Sequence, residues 1–198
     1  VEKDADLKGS NLQVGLKSSS FDVVGPFVSV SLHMHITGLF NVYNTLAAIG
    51  AAHAEGVDTD VIDKAVQTFY SVPGRFELVE AGQDFAVVVD YSHTPDSLEK
   101  ALTTARAMKP NRIITVFGCG GDRDRTKRPI MGGIAAQYAD IPIVTSDNPR
   151  SEDPEFIVSE VEGGVRAALK EGQRHEVIVD RRQAIYKAIE IAEPGDIV

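Results

Sequence analysis

The sequence predicts an α/β protein whose second part is a mostly parallel, Rossmann-like sheet covered by helices. Two observations support this prediction. After Gly82, short apolar segments of strand length alternate with segments in which apolar residues recur at helical spacing. The first of these strands, residues 85–90, is almost continuously apolar, as expected of a strand covered on both faces. Repeated β–α alternation of this kind gives parallel strands with helices on both sides of the sheet.

The first part of the chain has a different pattern. Residues 27–36 alternate between apolar and polar side chains, which predicts antiparallel strands. Residues 40–54 carry a broad apolar helical face, and a second helix is predicted to begin near Asp58 or Thr59. Pro73-Gly74 interrupts that pattern, so we expect a domain boundary there. The two predicted domains are residues 1–75 and residues 76–198.

The elements of the second part follow from apolar runs and capping residues. The predicted strands are residues 85–90, 113–117, 141–145 and 177–179. The predicted helices begin at Thr94-Pro95, at Pro129, at residues 151–154 and at Asp180. Pro194-Gly195 is a turn signal, and the residues after it have the composition of a strand. Ligands of such sheets bind beyond the carboxyl ends of the strands.

Composition excludes several classes of protein. The 198 residues carry a formal net charge of -9, which argues against a general nucleic-acid surface. No apolar run is long enough to predict a membrane span. The single cysteine, Cys119, excludes an internal disulfide and fits a reducing, cytoplasmic environment. We therefore expect a cytoplasmic protein that acts on small molecules.

A glycine-rich basic loop reverses the sign of the charge locally. Residues 117–129 run from a strand through three glycines into four cations, Arg123, Arg125, Lys127 and Arg128. Glycine lets backbone N–H groups approach a ligand closely, and arginine binds carboxylate or phosphate through its planar fork. The loop therefore fits an anionic ligand, although taken alone it fits a solvated basic loop equally well.

Two further loops follow strands and carry polar side chains. In residues 90–95, Asp90 could accept ribose hydroxyls and His93 could donate to a phosphate near a helix N-terminus, or Asp90 could simply form a turn. In residues 147–150, Asn148 offers a donor and an acceptor, and Pro149 stiffens the loop that carries Arg150. Taken alone, this second loop is better explained as an ordinary turn with a solvated arginine.

Three more polar residues and the cysteine are weaker candidates. Asn41 and Asn44 lie one turn apart at the start of an apolar helix, where amides could bind a nucleobase edge or merely cap the helix. Arg75 could contact a ligand or pair with a neighbouring acid. Cations near Cys119 could lower its pKa, but no evident base partners it, so we do not expect a nucleophile.

Taken together, the motifs resemble the Mur ligases, the ATP-dependent amino-acid-adding enzymes of peptidoglycan synthesis. Five signatures occur in the order found in that family, and five ordered motifs are far more specific than any one of them. They are residues 38–48, 73–77, 90–99, 117–131 and 147–150. The resemblance implies that residues 1–75 are the end of a central ATPase-type α/β domain and that residues 76–198 are the amino-acid-binding domain.

The resemblance also implies roles for individual residues. The ATP-binding residues would be Asn41, Asn44, Arg75 and Asp90. His93 would lie near the transferring phosphate as a catalytic residue. The residues that hold the incoming amino acid would be Arg123, Asp147, Asn148 and Arg150.

The Asp-Asn-Pro-Arg form of residues 147–150 resembles the family variant that selects meso-diaminopimelate. Diaminopimelate carries a distal carboxylate that lysine lacks. An arginine fork gains a charge-assisted pair with that carboxylate and would face an ammonium group if lysine were bound. The implied second substrate is UDP-N-acetylmuramoyl-L-alanyl-D-glutamate, whose carboxylate is activated with ATP and Mg²⁺ before the amine attacks.

The sequence also departs from the family pattern. It contains no Gly-x-x-x-x-Gly-Lys-Ser/Thr phosphate loop. We expect that loop and the Mg²⁺ ligands before Val1, and a further acceptor-binding segment after Val198, so that this chain alone would be inactive and contain no metal ligand. We also expect a monomer. The alternatives are a lysine-adding or glutamate-adding ligase of the same superfamily, or a non-catalytic Rossmann-like module that binds an anionic metabolite.

Overall fold

The computed structural model describes residues 5–15 and 18–198 and divides the chain into two compact units. The first unit is Val1–Leu78 and the second is Val79–Val198. The first four residues, which belong to the predicted domain 1–75, lie outside the described residues, as do Leu16 and Lys17. The assignment of that domain to the end of a larger ATP-binding domain stays a prediction.

The first unit is built on an antiparallel sheet of three strands. Its strands are β1 (Lys8–Val14), β2 (Ser19–Gly25) and β3 (Val28–Met34), paired in the order β1-β2-β3. Phe21 of β2 lies opposite Leu32 of β3, and both are buried, because alternate side chains of each strand point to the same face. The alternation in residues 27–36 therefore predicted this strand correctly.

Two helices cover the buried face of this sheet. They are α1 (Leu39–Ala54) and α2 (Thr59–Thr68), and a short strand, β4 (Glu77–Leu78), closes the unit. The core contains nine buried residues from the sheet and both helices: Phe21, Val23, Val28, Leu32, Met34, Val42, Leu46, Ile49 and Ile62. Asp58 is the N-cap residue of α2, as the sequence suggested, although its side chain makes no capping hydrogen bond.

The second unit contains the predicted parallel sheet. The strands of this unit are β5 (Val88–Val89), β6 (Ile114–Phe117), β7 (Ile141–Val144) and β8 (Glu176–Val177). Three of them, β6, β7 and β8, form the parallel sheet and pair in that order. Ile197 forms parallel bridges with both Ala86 and Ile113. The last residues of the chain therefore lie between the segment that leads to β5 and the segment that leads to β6.

A buried ion pair holds this inserted segment. The side chain of Asp196 is 1% exposed, and its Oδ2 lies 2.6 Å from Nη2 of Arg112. Arg112 also donates to the carbonyl of Ile191 at 3.0 Å. The pairing explains how a charged residue is accommodated beside the apolar Ile197, because a buried carboxylate needs a charged or hydrogen-bonding partner.

Four helices complete the second unit. They are α3 (Pro95–Ala107), α4 (Lys127–Tyr138), α5 (Pro154–Ala168) and α6 (Arg181–Ile191). Thr94 and Ser97 form a capping box at α3, and the side chains of Asp153 and Asp180 cap α5 and α6. The predicted α/β class with a parallel sheet is confirmed.

The predicted start of α4 at Pro129 is wrong. The helix begins at Lys127, and Pro129 lies within its first turn. Proline is accepted there because the first N–H groups of a helix have no partner within the helix. The difference matters, because it places Arg128 on the helix rather than in the preceding loop.

Helices α4 and α5 approach each other through glycines. A Cβ added to Gly164 of α5 would overlap the carbonyl oxygen of Pro129, and one added to Gly132 of α4 would overlap the carbonyl oxygen of Val161. Both glycines are buried. The two backbones therefore meet with no room for a methyl group, which fixes α5 against the start of α4.

We expect Gly164→Ala to destabilise the protein by about 1–3 kcal/mol, because the new methyl group must displace backbone. The matched control is Gly163→Ala in the same helix. Gly163 is exposed, and an added Cβ would meet nothing within 4 Å, so alanine should be neutral or stabilise the helix by up to about 1 kcal/mol. Urea denaturation of both variants measures the difference. Equal stabilities would contradict the close helix contact.

Candidate functional site

Two loops meet at the carboxyl edge of the parallel sheet. The first loop, residues 118–126, follows β6, and the second, residues 145–150, follows β7. Because β6 and β7 are adjacent and parallel, both loops leave the same edge. The N–H of Gly121 donates to the carbonyl of Asn148 at 2.8 Å, so the two loops are hydrogen-bonded directly.

The glycines of the first loop allow this contact between loops. A Cβ at Gly118 would overlap the carbonyl oxygen of Thr145, and one at Gly121 would overlap that of Pro149. One at Gly120 would lie 2.9 Å from Nη1 of Arg150. The sequence attributed these glycines to the approach of a ligand, whereas the structure shows that a neighbouring loop occupies the space that side chains would need.

Side chains add a second set of links between the loops. The carboxylate of Asp122 accepts hydrogen bonds from the hydroxyl of Ser151 at 2.8 Å and from its N–H at 3.2 Å. The N–H of Asp122 in turn donates to Oε1 of Glu152 at 2.6 Å. Asp122 and Arg150 both have a φ of 51°, which is a left-handed conformation. The loops are therefore joined by backbone and side chains together.

Arg128 is the buried centre of this region. Its side chain is 0% exposed, and it binds Glu152 with two nitrogens, at 2.8 and 2.9 Å. Its Nη1 also donates to Glu160 at 2.6 Å. The hydrogen bonds from Arg128 are the main reason that the pKa of Glu152 falls to about 2, and the same pairs raise the pKa of Arg128. All three groups are charged at neutral pH.

The pairing corrects the interpretation of the basic cluster. Arg125 donates to Glu160 at 2.6 Å and lies over the ring of Phe156, 4.9 Å from its centre. Arg125 and Arg128 are thus neutralised within the protein, so two of the four cations are not available to an anionic ligand. Sequence reasoning missed these pairs because Glu152 and Glu160 belong to the next β–α unit. There, Glu152 resembles an acidic residue near a helix N-terminus, and Glu160 resembles an exposed residue on a helix.

The other two cations lie differently. Arg123 is exposed and makes no hydrogen bond or ion pair with any residue that the structure describes. Lys127, at the start of α4, donates to the carbonyl of His93 at 2.9 Å. Lys127 therefore connects the loop after β5 to the glycine loop, and Arg123 remains open to a ligand.

Asp147, Asn148 and Arg150 of the second loop are exposed. Arg150 donates through Nη1 to the carbonyl of Gly121 at 2.5 Å. The side chain of Asn148 makes no hydrogen bond within the described part of the chain. Oδ1 of Asp147 lies 3.8 Å from Nη1 of Arg181, and both side chains are 45% exposed. This loop thus presents a cation, an amide and a carboxylate side by side.

The loop after β5 carries Asp90 and His93. The carboxylate of Asp90 accepts hydrogen bonds from the N–H of Ser92 at 2.9 Å and from its hydroxyl. Nδ1 of His93 lies 3.0 Å from the carbonyl of Tyr91. Since a carbonyl only accepts, the neutral ring carries its proton on Nδ1, which leaves Nε2 as an acceptor.

The remaining predicted residues lie in the first unit. Asn41 donates to the carbonyl of Thr37 at 2.8 Å, and Asn44 donates to Oδ1 of Asn41 at 3.4 Å. The exposed Arg75 closes the turn at Pro73-Gly74, because its N–H donates to the carbonyl of Val72 at 3.0 Å. The nucleotide-binding roles of Asn41, Asn44 and Arg75, like those of Asp90 and His93, stay predictions.

Cys119 belongs to the glycine loop, but its side chain is turned into the interior. It is buried, and its Sγ is 3.6 Å from Sδ of Met131. Burial raises the pKa of Cys119 to about 11, although Lys127 and Arg128 act in the opposite direction. The cations that the sequence placed beside it therefore do not activate the thiol.

We expect Cys119 to react slowly in the folded protein. With a pKa of about 11, about one thiol in a thousand is ionised at pH 8, whereas an unfolded thiol has a pKa near 8.5. Alkylation by iodoacetamide at pH 8 should thus be roughly 100-fold slower than in urea, and should accelerate as the pH rises towards 10. Equal rates for folded and unfolded chain would contradict the burial of the thiol.

The described residues contain neither a metal-binding cluster nor a membrane-spanning helix. Within residues 5–15 and 18–198, no group of three or more His, Cys, Asp or Glu side chains is arranged to hold a metal ion. In the same residues, no helix has the length and apolar character needed to cross a membrane.

Comparison with known proteins gives consistent matches. Residues 74–198 match the family model described as the Mur ligase, glutamate ligase domain. The chain is 50% identical over all 198 residues to a UDP-N-acetylmuramoyl-L-alanyl-D-glutamate--2,6-diaminopimelate ligase of Syntrophomonas wolfei, and 46% identical to that of Bacillus licheniformis. It spans about 40% of the length of these curated relatives.

Solved structures show the same similarity. A structure of a UDP-N-acetylmuramoyl-L-alanyl-D-glutamate--2,6-diaminopimelate ligase covers the whole chain with 40% of its own length, at 39% identity and a TM-score of 0.71. A folylpolyglutamate synthase of Thermotoga maritima covers 98% of the chain with 44% of its own, at a TM-score of 0.74 but only 21% identity. The second match shows the fold alone.

Proposed function

The chain belongs to the Mur ligase family, as its five motifs predicted, and on that premise we propose that it is the part of an ATP-dependent ligase that binds the incoming amino acid. Residues 76–198 would form the amino-acid-binding domain, and residues 1–75 the end of the ATP-binding domain. The observation that carries this proposal is the pair of hydrogen-bonded loops at the sheet edge, which present Arg150, Asn148 and Asp147 together.

The proposed amino acid is meso-diaminopimelate, and the relatives that are 44–50% identical to this chain are named as 2,6-diaminopimelate ligases. Its two carboxylates need cations and its two ammonium groups need acceptors. Arg123 has no partner among the described residues, and Arg150 donates to a neutral carbonyl, so both arginines would gain a stronger, charge-assisted bond from a carboxylate. Asp147, held only at 3.8 Å by Arg181, could accept from an ammonium group.

The roles of individual residues in nucleotide binding are proposed from the family motifs. Asn41 and Asn44 offer side-chain amides at the start of α1 for an adenine ring, and Arg75 and Asp90 would contact the rest of the nucleotide. His93 would lie near the transferring phosphate, where Nε2 is the ring nitrogen that does not bond to the carbonyl of Tyr91. No residue of this chain is proposed as a ligand of Mg²⁺.

The proposed reaction is amide formation with UDP-N-acetylmuramoyl-L-alanyl-D-glutamate in peptidoglycan synthesis. ATP with Mg²⁺ would supply the phosphoryl group that activates the carboxylate of that substrate. The residues of this chain would hold the amino acid so that its amine meets the activated carboxyl carbon, which replaces a bimolecular encounter by a fixed geometry. We propose that the ligase acts in the cytoplasm as a monomer.

Calorimetric titration of the chain with meso-diaminopimelate and with L-lysine tests this proposal. We expect binding of diaminopimelate in preference to lysine. Arg150→Ala should weaken it about tenfold or more, since a hydrogen bond to a charged group contributes about 1.5–3 kcal/mol. The control is Arg174→Ala, an exposed arginine just before β8 at the opposite edge of the sheet, which should bind as the unchanged chain does.

Three results would contradict the proposal. Equal or stronger binding of lysine would overturn the selectivity for diaminopimelate. An equal loss in Arg150→Ala and Arg174→Ala would show that binding depends on overall charge rather than on this loop. No binding of either amino acid would reject the acceptor role for this chain.

A further inference from the structure

We propose that Arg128, Glu152, Asp122 and Ser151 are positioning residues that set the spacing between the two arginines of the amino-acid site. We call these four residues the interloop clamp. The inference rests on the proposed function, in which Arg123 and Arg150 bind the carboxylates of the amino acid. None of the four residues needs to touch the ligand, because they act through the two arginines.

The clamp joins the residues that stand next to the arginines in the chain. Arg123 directly follows Asp122, and Arg150 directly precedes Ser151. The carboxylate of Asp122 accepts from both the hydroxyl and the N–H of Ser151, at 2.8 and 3.2 Å. The backbones that carry the two arginines are therefore fastened one residue away from each arginine. Any change in this link moves one arginine relative to the other.

Glu152 connects this link to the interior. Its carboxylate accepts the N–H of Asp122 at 2.6 Å and also receives two hydrogen bonds from the fully buried Arg128. The N–H of Glu152 donates to the carbonyl of Pro149 at 3.0 Å. Nη1 of Arg128 also donates to Oε2 of Glu160 at 2.6 Å. The two surface loops are thus anchored to helices α4 and α5 and share one buried cation.

The backbone conformation shows that the loops need such an anchor. Both Asp122 and Arg150 adopt a φ of 51°. Aspartate visits this left-handed region several-fold more often than most residues, but for arginine it is uncommon and persists only where the surroundings hold it. At Arg150 those surroundings are the bond from its own Nη1 to Gly121 and the clamp at Ser151.

The ion pair between Arg128 and Glu152 does not open by titration near neutral pH. The pKa of Glu152 lies at about 2, chiefly because Arg128 donates to its carboxylate. Arg128 stays protonated, since the same pairs raise its pKa further. The spacing of Arg123 and Arg150 is therefore set before a ligand arrives, which lowers the ordering cost of binding a ligand with two carboxylates.

Two variants test the clamp without touching the arginines. Ser151→Ala removes the hydroxyl that Asp122 accepts from, and Ser151→Thr restores a hydroxyl. Asp122→Gly removes the carboxylate while glycine keeps the left-handed backbone without strain. Ser159→Ala is the matched control, because among the described residues the hydroxyl of Ser159 donates only to the carbonyl of Phe156 within α5. All four are measured in the whole chain by calorimetry and by amide hydrogen exchange.

We expect Ser151→Ala and Asp122→Gly to weaken the binding of meso-diaminopimelate by about tenfold. The ratio of its affinity to that of L-lysine should fall in both variants. Amide exchange at residues 122 and 151 should become faster in the same variants. Ser151→Thr should recover most of the affinity, and Ser159→Ala should match the unchanged chain. A merely structural role would weaken both amino acids equally and leave the preference unchanged.

The two proposals fail in different ways. If the unchanged chain binds no diaminopimelate, the proposed function fails, while amide exchange in the variants still reports on the clamp. The proposed role of the clamp is overturned if amide hydrogen exchange at residues 122 and 151 is unchanged in both Ser151→Ala and Asp122→Gly. It is equally overturned if exchange becomes faster but affinity and preference stay as they are.

Discussion

The burial of one cation organises the candidate site. Arg128 lies in the interior with carboxylates on two sides, and one of these, Glu152, also binds the backbone of the glycine loop. Removing one partner of such a pair would leave a buried charge, at a cost of about 3–5 kcal/mol. Apolar residues of the same volume would often be as stable. Beyond stability, the ion pair fixes the orientation of its partners, because a planar guanidinium fork donates to carboxylates only at set angles.

Close backbone contact supports this arrangement from both ends. Gly132 and Gly164 bring α4 and α5 together. This contact places Glu160 of α5, and Glu152 just before it, against Arg128 of α4. Gly118 and Gly121 bring the two loops together at the sheet edge. A side chain at any of these positions would separate the partners of the ion pairs or the hydrogen-bonded loops. The glycines and the buried charges are therefore two parts of one constraint.

Local sequence patterns predicted most of the fold, but they did not predict the ion pairs between residues that are distant in the chain. Apolar periodicity located the strands and helices because each is decided within about ten residues. The start of α4 was misplaced because proline is common at the first helical position but also fits later in the first turn. The ion pairs of Arg125 and Arg128 were missed because their partners, Glu152 and Glu160, lie beyond the next strand. Burial of Cys119 likewise depends on tertiary packing.

In the proposed function, selectivity for the amino acid would arise from the side chains at the sheet edge rather than from the fold. The parallel sheet and its helices are shared with a structure that is only 21% identical, so the fold by itself would not determine which amino acid is bound. Arginine side chains lose conformational freedom when they bind, and that loss weakens any ligand that engages only one of them. A second carboxylate at a matched distance engages the other arginine, and the added charge-assisted bonds offset this entropic cost. A fixed spacing between two arginines therefore discriminates by geometry as well as by charge, and the residues that set that spacing contribute to selectivity without contacting the ligand.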